Sequence, residues 1–200
     1  MGSNPATPTI APGPSRSGGF VVPGVPLLGT AARMRHSAVV TDVHIRRGGT
    51  DDGEAAAAIT DAAYRPWVPV IGRRPAPMTA DHTAAAAGEG ALWLAEAGDL
   101  PVGVLVLRDH DDHLLIESVA VTPDAQHSGV GRALLAFAEH RARSTGIAEL
   151  RLYTHERMTS NIALYEGLGY RITRRAEEDG FARVHMTKAL QAKSASGADE

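Results

Sequence analysis

Residues 114–155, LLIESVAVTPDAQHSGVGRALLAFAEHRARSTGIAELRLYTH, constrain the fold more than any other part of the sequence. The segment opens with a mostly apolar run, which is typical of a strand covered on both faces. After a loop with two glycines, Val130, Leu134 and Phe137 recur at helical spacing. AELRLYTH then predicts a second strand. Because a strand–helix–strand unit joins parallel neighbours, the sheet should contain a parallel pair.

The flanking segments predict strands that pair with their neighbours in the opposite direction. Upstream, a strand at DVHIRRG and two helices precede two strands that are joined at Gly98-Asp99. Downstream, a short helix at SNIALYEGLGY precedes a hairpin that turns at Asp179-Gly180. Together these elements predict an α/β fold with a mixed, mostly antiparallel sheet and helices against it.

Composition excludes several classes of protein. The chain has no cysteine, so it forms no disulfide and performs no thiolate chemistry. The net charge is −3, and residues 1–40 carry only basic charges, so the rest of the chain is acidic. A mildly acidic domain argues against nucleic-acid binding, which needs a basic face. No apolar run is long enough to span a membrane.

The two ends of the chain are expected to lie outside the domain. Residues 1–40 are rich in proline and glycine and predict a disordered extension, residues 41–190 predict one domain, and residues 191–200 predict a polar tail. Met34 resembles a natural start, so residues 1–33 are expected to be dispensable. Residues 19–32 resemble a secretory signal, but Pro23 and Pro26 interrupt them. We therefore expect a cytoplasmic protein.

The loop QHSGVGRALL, residues 126–135, is suited to an anion. It is not a P-loop, because Arg132 and Ala133 follow Gly131 where that motif needs Lys and Ser or Thr. It is not a dinucleotide-binding turn either, because Leu134 stands where the third glycine is needed. The loop either binds an anion through its backbone amides or is an ordinary helix start.

Residues 43–190, approximately, resemble the GNAT superfamily of N-acetyltransferases in three features. ESVAVTPDAQHSGVGRALL resembles its strand–loop–helix, with a Gln-x-x-Gly-x-Gly core at Gln126, Gly129 and Gly131. SNIALYEGLGY resembles its Asn-x-x-x-Tyr helix at Asn161 and Tyr165. The order of the elements is the third feature. The resemblance implies a mostly antiparallel sheet that splays open after its fourth strand, flanked by about four helices.

The resemblance also implies a binding site for acetyl-CoA as cosubstrate. The backbone of Val119, Ala120 and Val121 would pair with pantetheine, as an added strand does, and Asn161 would hydrogen-bond to the cofactor. The loop would hold the pyrophosphate. The loop residues concerned are Gln126, His127, Ser128, Gly129, Val130, Gly131 and Arg132.

Glu117 is an unusual residue for its apolar strand. The two-residue period of a strand places it on the same face as Val119 and Val121. Such a carboxylate can be a general base that takes the amine proton, directly or through water. Alternatively, it forms an ion pair with a nearby arginine such as Arg65 or Arg151. His155 is the second candidate base.

Tyr165 lies four residues after Asn161, so both occupy one helix face. The resemblance implies that the Tyr165 phenol points at the sulfur, where it would protonate the leaving thiolate. The alternative is a core aromatic residue whose hydroxyl bonds to the backbone.

Two further groups of residues leave alternatives open. Tyr64, Trp67 and Arg73 occupy the segment that lines the acceptor side in this superfamily, and an arginine there would suit an acceptor carboxylate. Helix packing and surface charge explain them equally well. RDHDDH, residues 108–113, mixes His and Asp, but its position between two strands favours a solvated turn, so no metal is expected.

These features predict an enzyme that transfers acetyl from acetyl-CoA to a primary amine by direct attack in a ternary complex. The acceptor would be a small molecule or a peptide, and a homodimer is left open. The alternative is a catalytically inactive acyl-CoA-binding module that regulates a partner.

Overall fold

A computed structural model of the protein describes residues 20–22, 43–87 and 91–191. The strands are β1 Phe20–Val22, β2 Val43–Arg47, β3 Leu92–Ala97, β4 Leu100–Asp109, β5 Leu114–Val121, β6 Glu149–His155, β7 Arg171–Glu178 and β8 Phe181–Ala189. The α-helices are α1 Gly53–Tyr64, α2 Val68–Ile71, α3 His82–Ala87, α4 Val130–Ser144 and α5 Thr159–Gly167. No helix in these ranges is both long and apolar enough to cross a membrane.

All strands belong to one open sheet with the order β1-β2-β3-β4-β5-β6-β8-β7. Within the described sheet, β5 and β6 form the one parallel pair, and α4 provides the crossover between them. The mixed sheet and its flanking helices confirm the predicted fold class.

Both predicted hairpins form. Gly98 adopts a φ of +63° in the two-residue turn between β3 and β4. Asp179 and Gly180 adopt φ values of 52° and 73° between β7 and β8. Positive φ at both central positions is typical of a turn whose twist matches that of the strands it joins, which explains the Asp-Gly sequence.

Two helical layers cover the sheet. On one face, α4 and α5 bury the larger core cluster, which includes Leu105, Leu134 and Leu152. On the other face, α1 and α3 bury a smaller cluster, which includes Ile59 and Val104. β5 contributes Ile116 to the first cluster and Ala120 to the second, so it is covered on both faces as predicted.

A β-bulge lies in the middle of β5. Leu107 pairs with Ile116, but the next residue of β4, Val106, pairs with Ser118, so Glu117 has no direct partner. A bulge places two residues opposite one and breaks the alternation of side chains. The expectation that Glu117 shares a face with Val119 and Val121 is therefore wrong, because the two-residue period does not continue through the bulge.

The predicted division into extension, domain and tail stays a prediction. Within the first 40 residues the structure describes only Phe20–Val22, which pairs with β2 at the edge of the sheet. The rest of the extension and most of the polar tail lie outside the described residues.

Candidate active site

The sheet opens where β5 and β6 stop pairing. Their parallel register covers only Leu114–Ile116 against Leu150–Leu152, and the two strands diverge beyond it. The gap leads into a pocket, here called the splay pocket. Its walls come from β5, β6, α1, α5, β8 and residues 68–79, which we call the bridging segment. Its polar lining consists of Tyr64, Glu117, Ser118, Tyr153, Thr154, His155, Asn161, Tyr165 and Arg183.

The glycine loop presents backbone amides at the start of α4. His127 and Gly129 adopt positive φ values of 63° and 97°. The first bond of the helix runs from the Ala133 amide to the Gly129 carbonyl at 3.0 Å. Residues 126–129 form turns, and in the part of the chain that the structure describes the amides of residues 127–132 donate to no carbonyl with good hydrogen-bond geometry. Successive free amides at the start of a 15-residue helix form a favourable anion site.

Both loop glycines leave space above the loop. A Cβ at Gly129 would have no described heavy atom within 4 Å, and one at Gly131 would meet only the Val121 Cγ2, at 3.7 Å. A side chain at either position would instead occupy the space that a ligand needs to reach the amides.

The open edge of β5 also offers backbone groups. The Thr122 amide donates to Val102 at 2.9 Å, and the antiparallel alternation then turns the amides and carbonyls of Val119 and Val121 away from β4. Two side chains use the carbonyls: the Tyr64 hydroxyl donates to Val119 at 3.3 Å and Gln126 Nε2 donates to Val121 at 3.1 Å. The edge therefore has two carbonyls already bonded and two amides turned toward the gap.

Glu117 forms an ion pair, but with neither of the two predicted arginines. Its Oε2 accepts a hydrogen bond from Arg108 Nε at 2.5 Å. Arg65 instead pairs with Asp61, and Arg151 pairs with Glu149 and Asp112. Arg108 is close because it pairs with Leu115, two residues before Glu117, so the two side chains project from the same face of neighbouring strands. The carboxylate also lines the splay pocket, so the ion pair does not remove it from the site.

Tyr165 is buried at the inner end of the splay pocket. Its side chain is 7% exposed, and its ring packs edge-on against Tyr170 with centroids 5.8 Å apart. Burial, with smaller contributions from Tyr64 and Tyr170, raises the pKa of the Tyr165 phenol well above its usual value. The phenol therefore stays protonated at neutral pH and can donate a hydrogen bond, while Asn161 lines the same pocket.

His155 lies in the pocket with one ring nitrogen already engaged. Its Nδ1 accepts from the Arg157 amide at 3.1 Å, so the neutral ring carries its proton on Nε2. Burial lowers the pKa of His155 below its usual value. A neutral ring in this tautomer has no free lone pair for a proton from an amine.

The three predicted acceptor-side residues occupy different places. Tyr64 lines the pocket, whereas Trp67 and Arg73 are absent from its described lining. Arg73 contacts the turn between β7 and β8, where Nη1 donates to the carbonyls of Asp179 and Gly180 at 3.1 and 3.2 Å.

A buried histidine beside the pocket was missed in the sequence. His82 begins α3 and is 4% exposed. The backbone of Pro77, a pocket residue, favours the charged form of its ring, while its Nδ1 has no hydrogen-bond partner among the described residues. Burial lowers its pKa, although the charges of Asp81 and Glu117 oppose this shift. The segment TADHTAAAAG contains no motif that would identify this residue.

The His/Asp-rich turn is held by stacking and ion pairs. The His110 and His113 rings stack with centroids 4.4 Å apart, and Asp112 bridges His113 and Arg151. Across the described ranges, no group of three His, Asp or Glu side chains is arranged to hold a metal ion.

Comparison with known proteins agrees with this architecture. The acetyltransferase (GNAT) family model matches residues 56–170. Mycothiol acetyltransferase from Gordonia bronchialis is 34% identical over 152 residues, which cover 72% of this chain and 48% of that protein. The chain thus spans about half the length of this relative. [Ribosomal protein bS18]-alanine N-acetyltransferase from Escherichia coli is 39% identical over 59 residues, 30% of this chain and 40% of that one.

Solved structures show the same fold. The ribosomal-protein-S18-alanine N-acetyltransferase from Escherichia coli superposes with a TM-score of 0.61 at 22% identity, covering 78% of this chain and 99% of that chain. The PaiA N-acetyltransferase from Thermoplasma acidophilum, solved in complex with coenzyme A, gives a TM-score of 0.60 at 18% identity, covering 74% and 99%. At these identities the likeness establishes the fold alone. The family model, however, covers more than half of the chain, so this protein belongs to the acetyltransferase (GNAT) family, as its motifs imply.

Proposed function

We propose that the protein transfers an acetyl group from acetyl-CoA to the primary amine of a small molecule or peptide. One observation carries the proposal: the gap between β5 and β6 has free amides at one end and a pocket containing a carboxylate at the other. Family membership and relatives named as acetyltransferases support it.

The amides would bind the cosubstrate. The free amides of residues 127–132 and the start of α4 would hold the diphosphate, which needs no lysine because no phosphoryl group is transferred. The amides of Val119 and Val121 would bond to pantetheine, as in the addition of a strand. The thioester would then lie in the gap, near Asn161 and Tyr165. A protein of the same fold was solved in complex with coenzyme A, which supports coenzyme A as the ligand of this gap.

Glu117 is the better candidate for the base. An acceptor amine is protonated at neutral pH and must lose a proton before it can attack. The Glu117 carboxylate can accept that proton, directly or through water, once the amine displaces Arg108 or shares the carboxylate with it. His155 is less suitable, because the Arg157 amide already uses its free lone pair.

Attack of the amine nitrogen on the acetyl carbonyl would form the C–N bond and a tetrahedral oxyanion. The C–S bond would then break, Tyr165 would give its proton to the thiolate, and the proton that the amide nitrogen loses would pass through water to the Tyr165 phenolate. Much of the acceleration would come from holding the two reactants together. The cytoplasmic location and the homodimer stay predictions from the sequence.

A panel of primary amines with acetyl-CoA tests the proposal, with released thiol as the readout. We expect turnover of at least one amine, and calorimetry should show binding of coenzyme A. Binding without turnover of any amine would favour the inactive acyl-CoA-binding module, and absence of binding would rule out both functions.

A further inference from the structure

Part of the lining of the splay pocket comes from two segments that are far apart in the sequence. The bridging segment contributes Ile71, Pro75, Ala76 and Pro77, and β8 contributes Phe181 and Arg183. An acceptor that enters between them has to fit whatever gap they leave.

Arg73 joins these two segments. Besides its bonds to the carbonyls of Asp179 and Gly180, its guanidinium carbon lies 4.0 Å from the centroid of the Phe181 ring. A Cβ at Gly180 would lie 2.5 Å from Arg73 Nη1, so a larger residue at this position of the turn would push the guanidinium aside.

A second arginine fixes the same segment from the other side. Arg157, just after β6, donates from Nη1 to the Val70 carbonyl at 2.9 Å. The bridging segment is therefore held at Val70 and at Arg73, on either side of Ile71. All these contacts are on the surface, and the two arginines bond to carbonyls rather than to carboxylates.

We infer that Arg73 holds the bridging segment against the β7–β8 turn and thereby limits the size of the acceptor. This inference rests on the proposed function. Arg73 would thus influence specificity by positioning the bridging segment. The sequence had instead predicted a direct contact between Arg73 and an acceptor carboxylate. Slender amines would pass the closed gap, and bulky amines would need the contact to open.

Arg74 provides a matched control. It is the adjacent residue and is also exposed, but it bonds to Asp61 and to the Met78 carbonyl and makes no described contact with the turn. Arg74→Ala removes the same charge and the same side chain from the same segment without releasing the turn.

Hydrogen exchange of the full-length protein tests the contact without any substrate. We expect amides of the β7–β8 turn to exchange about 10-fold faster in Arg73→Ala, with no change in that turn in Arg74→Ala, because the described bonds of Arg74 go to Asp61 and Met78 instead. Equal exchange in the two variants and the wild type would overturn the inference.

The selectivity between acceptors tests whether Arg73 limits acceptor size. The two probes are glycinamide, a slender α-amine, and tryptophanamide, a bulky one. The ratio of kcat/KM for tryptophanamide to that for glycinamide should rise about 10-fold in Arg73→Ala and stay constant in Arg74→Ala. An unchanged ratio in Arg73→Ala would overturn the inference. A wild type that acetylates no amine would instead overturn the proposed function, and hydrogen exchange alone would then decide whether Arg73 holds the segment.

Discussion

The Glu117 carboxylate accepts a hydrogen bond at 2.5 Å from Nε of Arg108 on the neighbouring strand, and it does so from the bulged position of β5. If Glu117 is the base, Glu117→Gln should lower kcat by about 10²–10⁴-fold while coenzyme A affinity stays constant. Steady-state kinetics and calorimetry measure the two effects. The acid limb of the pH–rate profile should also disappear.

The variant Arg108→Met distinguishes a catalytic role of Glu117 from a purely structural role of its ion pair with Arg108. If the pair only stabilises the fold, both substitutions should lower the melting temperature and the activity to a similar extent. If Glu117 is the base, Arg108→Met should retain most of the turnover. Unchanged kinetics in Glu117→Gln would assign proton removal to water or to His155.

The variant Gly129→Asp tests whether the glycine loop binds the cosubstrate. The carboxylate would lie among the free amides where the diphosphate is proposed to bind, so coenzyme A affinity should fall by at least about 100-fold. Gly146→Asp is the control, because Gly146 also has a positive φ of 78° and open space around it, but at the far end of α4. Calorimetry should show weaker binding for the first variant alone; equal affinities would place the cosubstrate elsewhere.

Tyr165→Phe should lower kcat most with acyl donors that have a poor leaving thiol, because those donors need the phenol proton most. Tyr170→Phe is the control: Tyr170 is also buried, packs on Tyr165, and its hydroxyl has no described partner. Kinetics with acetyl-CoA and with an activated thioester give the comparison. A uniform loss across both donors would indicate a packing role for Tyr165.

Because His82 is buried, we expect the folded protein to lose stability in mild acid. Its folded-state pKa is lower than the unfolded value of about 6.5, so below that pH the unfolded chain takes up a proton that the folded chain resists. The free energy of unfolding should therefore fall as pH drops from 7.5 to 5.5. Thermal melts of His82→Gln should show a shallower fall, whereas exposed His110→Gln should follow the wild type. Parallel slopes for wild type and His82→Gln would contradict this prediction.

Local sequence signals predicted most of the fold. Asp179-Gly180 predicted its hairpin because few residue pairs tolerate positive φ at both positions, and the apolar run of β5 predicted a strand covered on both faces. The spacing of Gly129 and Gly131 predicted the loop before α4, and its binding of the cosubstrate stays a prediction.

The features that the sequence did not reveal depend on long-range register. One residue in β5 lies opposite no partner, and a periodicity argument cannot detect this, so the face of Glu117 relative to Val119 and Val121 was missed. Its pairing with Arg108 was missed because it depends on the register between β4 and β5. Arg73 and Gly180 are more than 100 residues apart, and no local pattern couples them. His82 was missed because a short alanine-rich helix gives no signal of what covers it.

The bulge in β5 also indicates how this site could have been gained or lost. Ile116 faces one core cluster and Ala120 the other, and the two follow a regular alternation if Glu117 is left out of the count. Deletion of Glu117 would therefore preserve the residue pairs between β4 and β5 on both sides of it, and the shortened chain should fold. The register of the sheet on both sides therefore does not depend on Glu117, and a substitution there changes the pocket while the two cores stay unchanged.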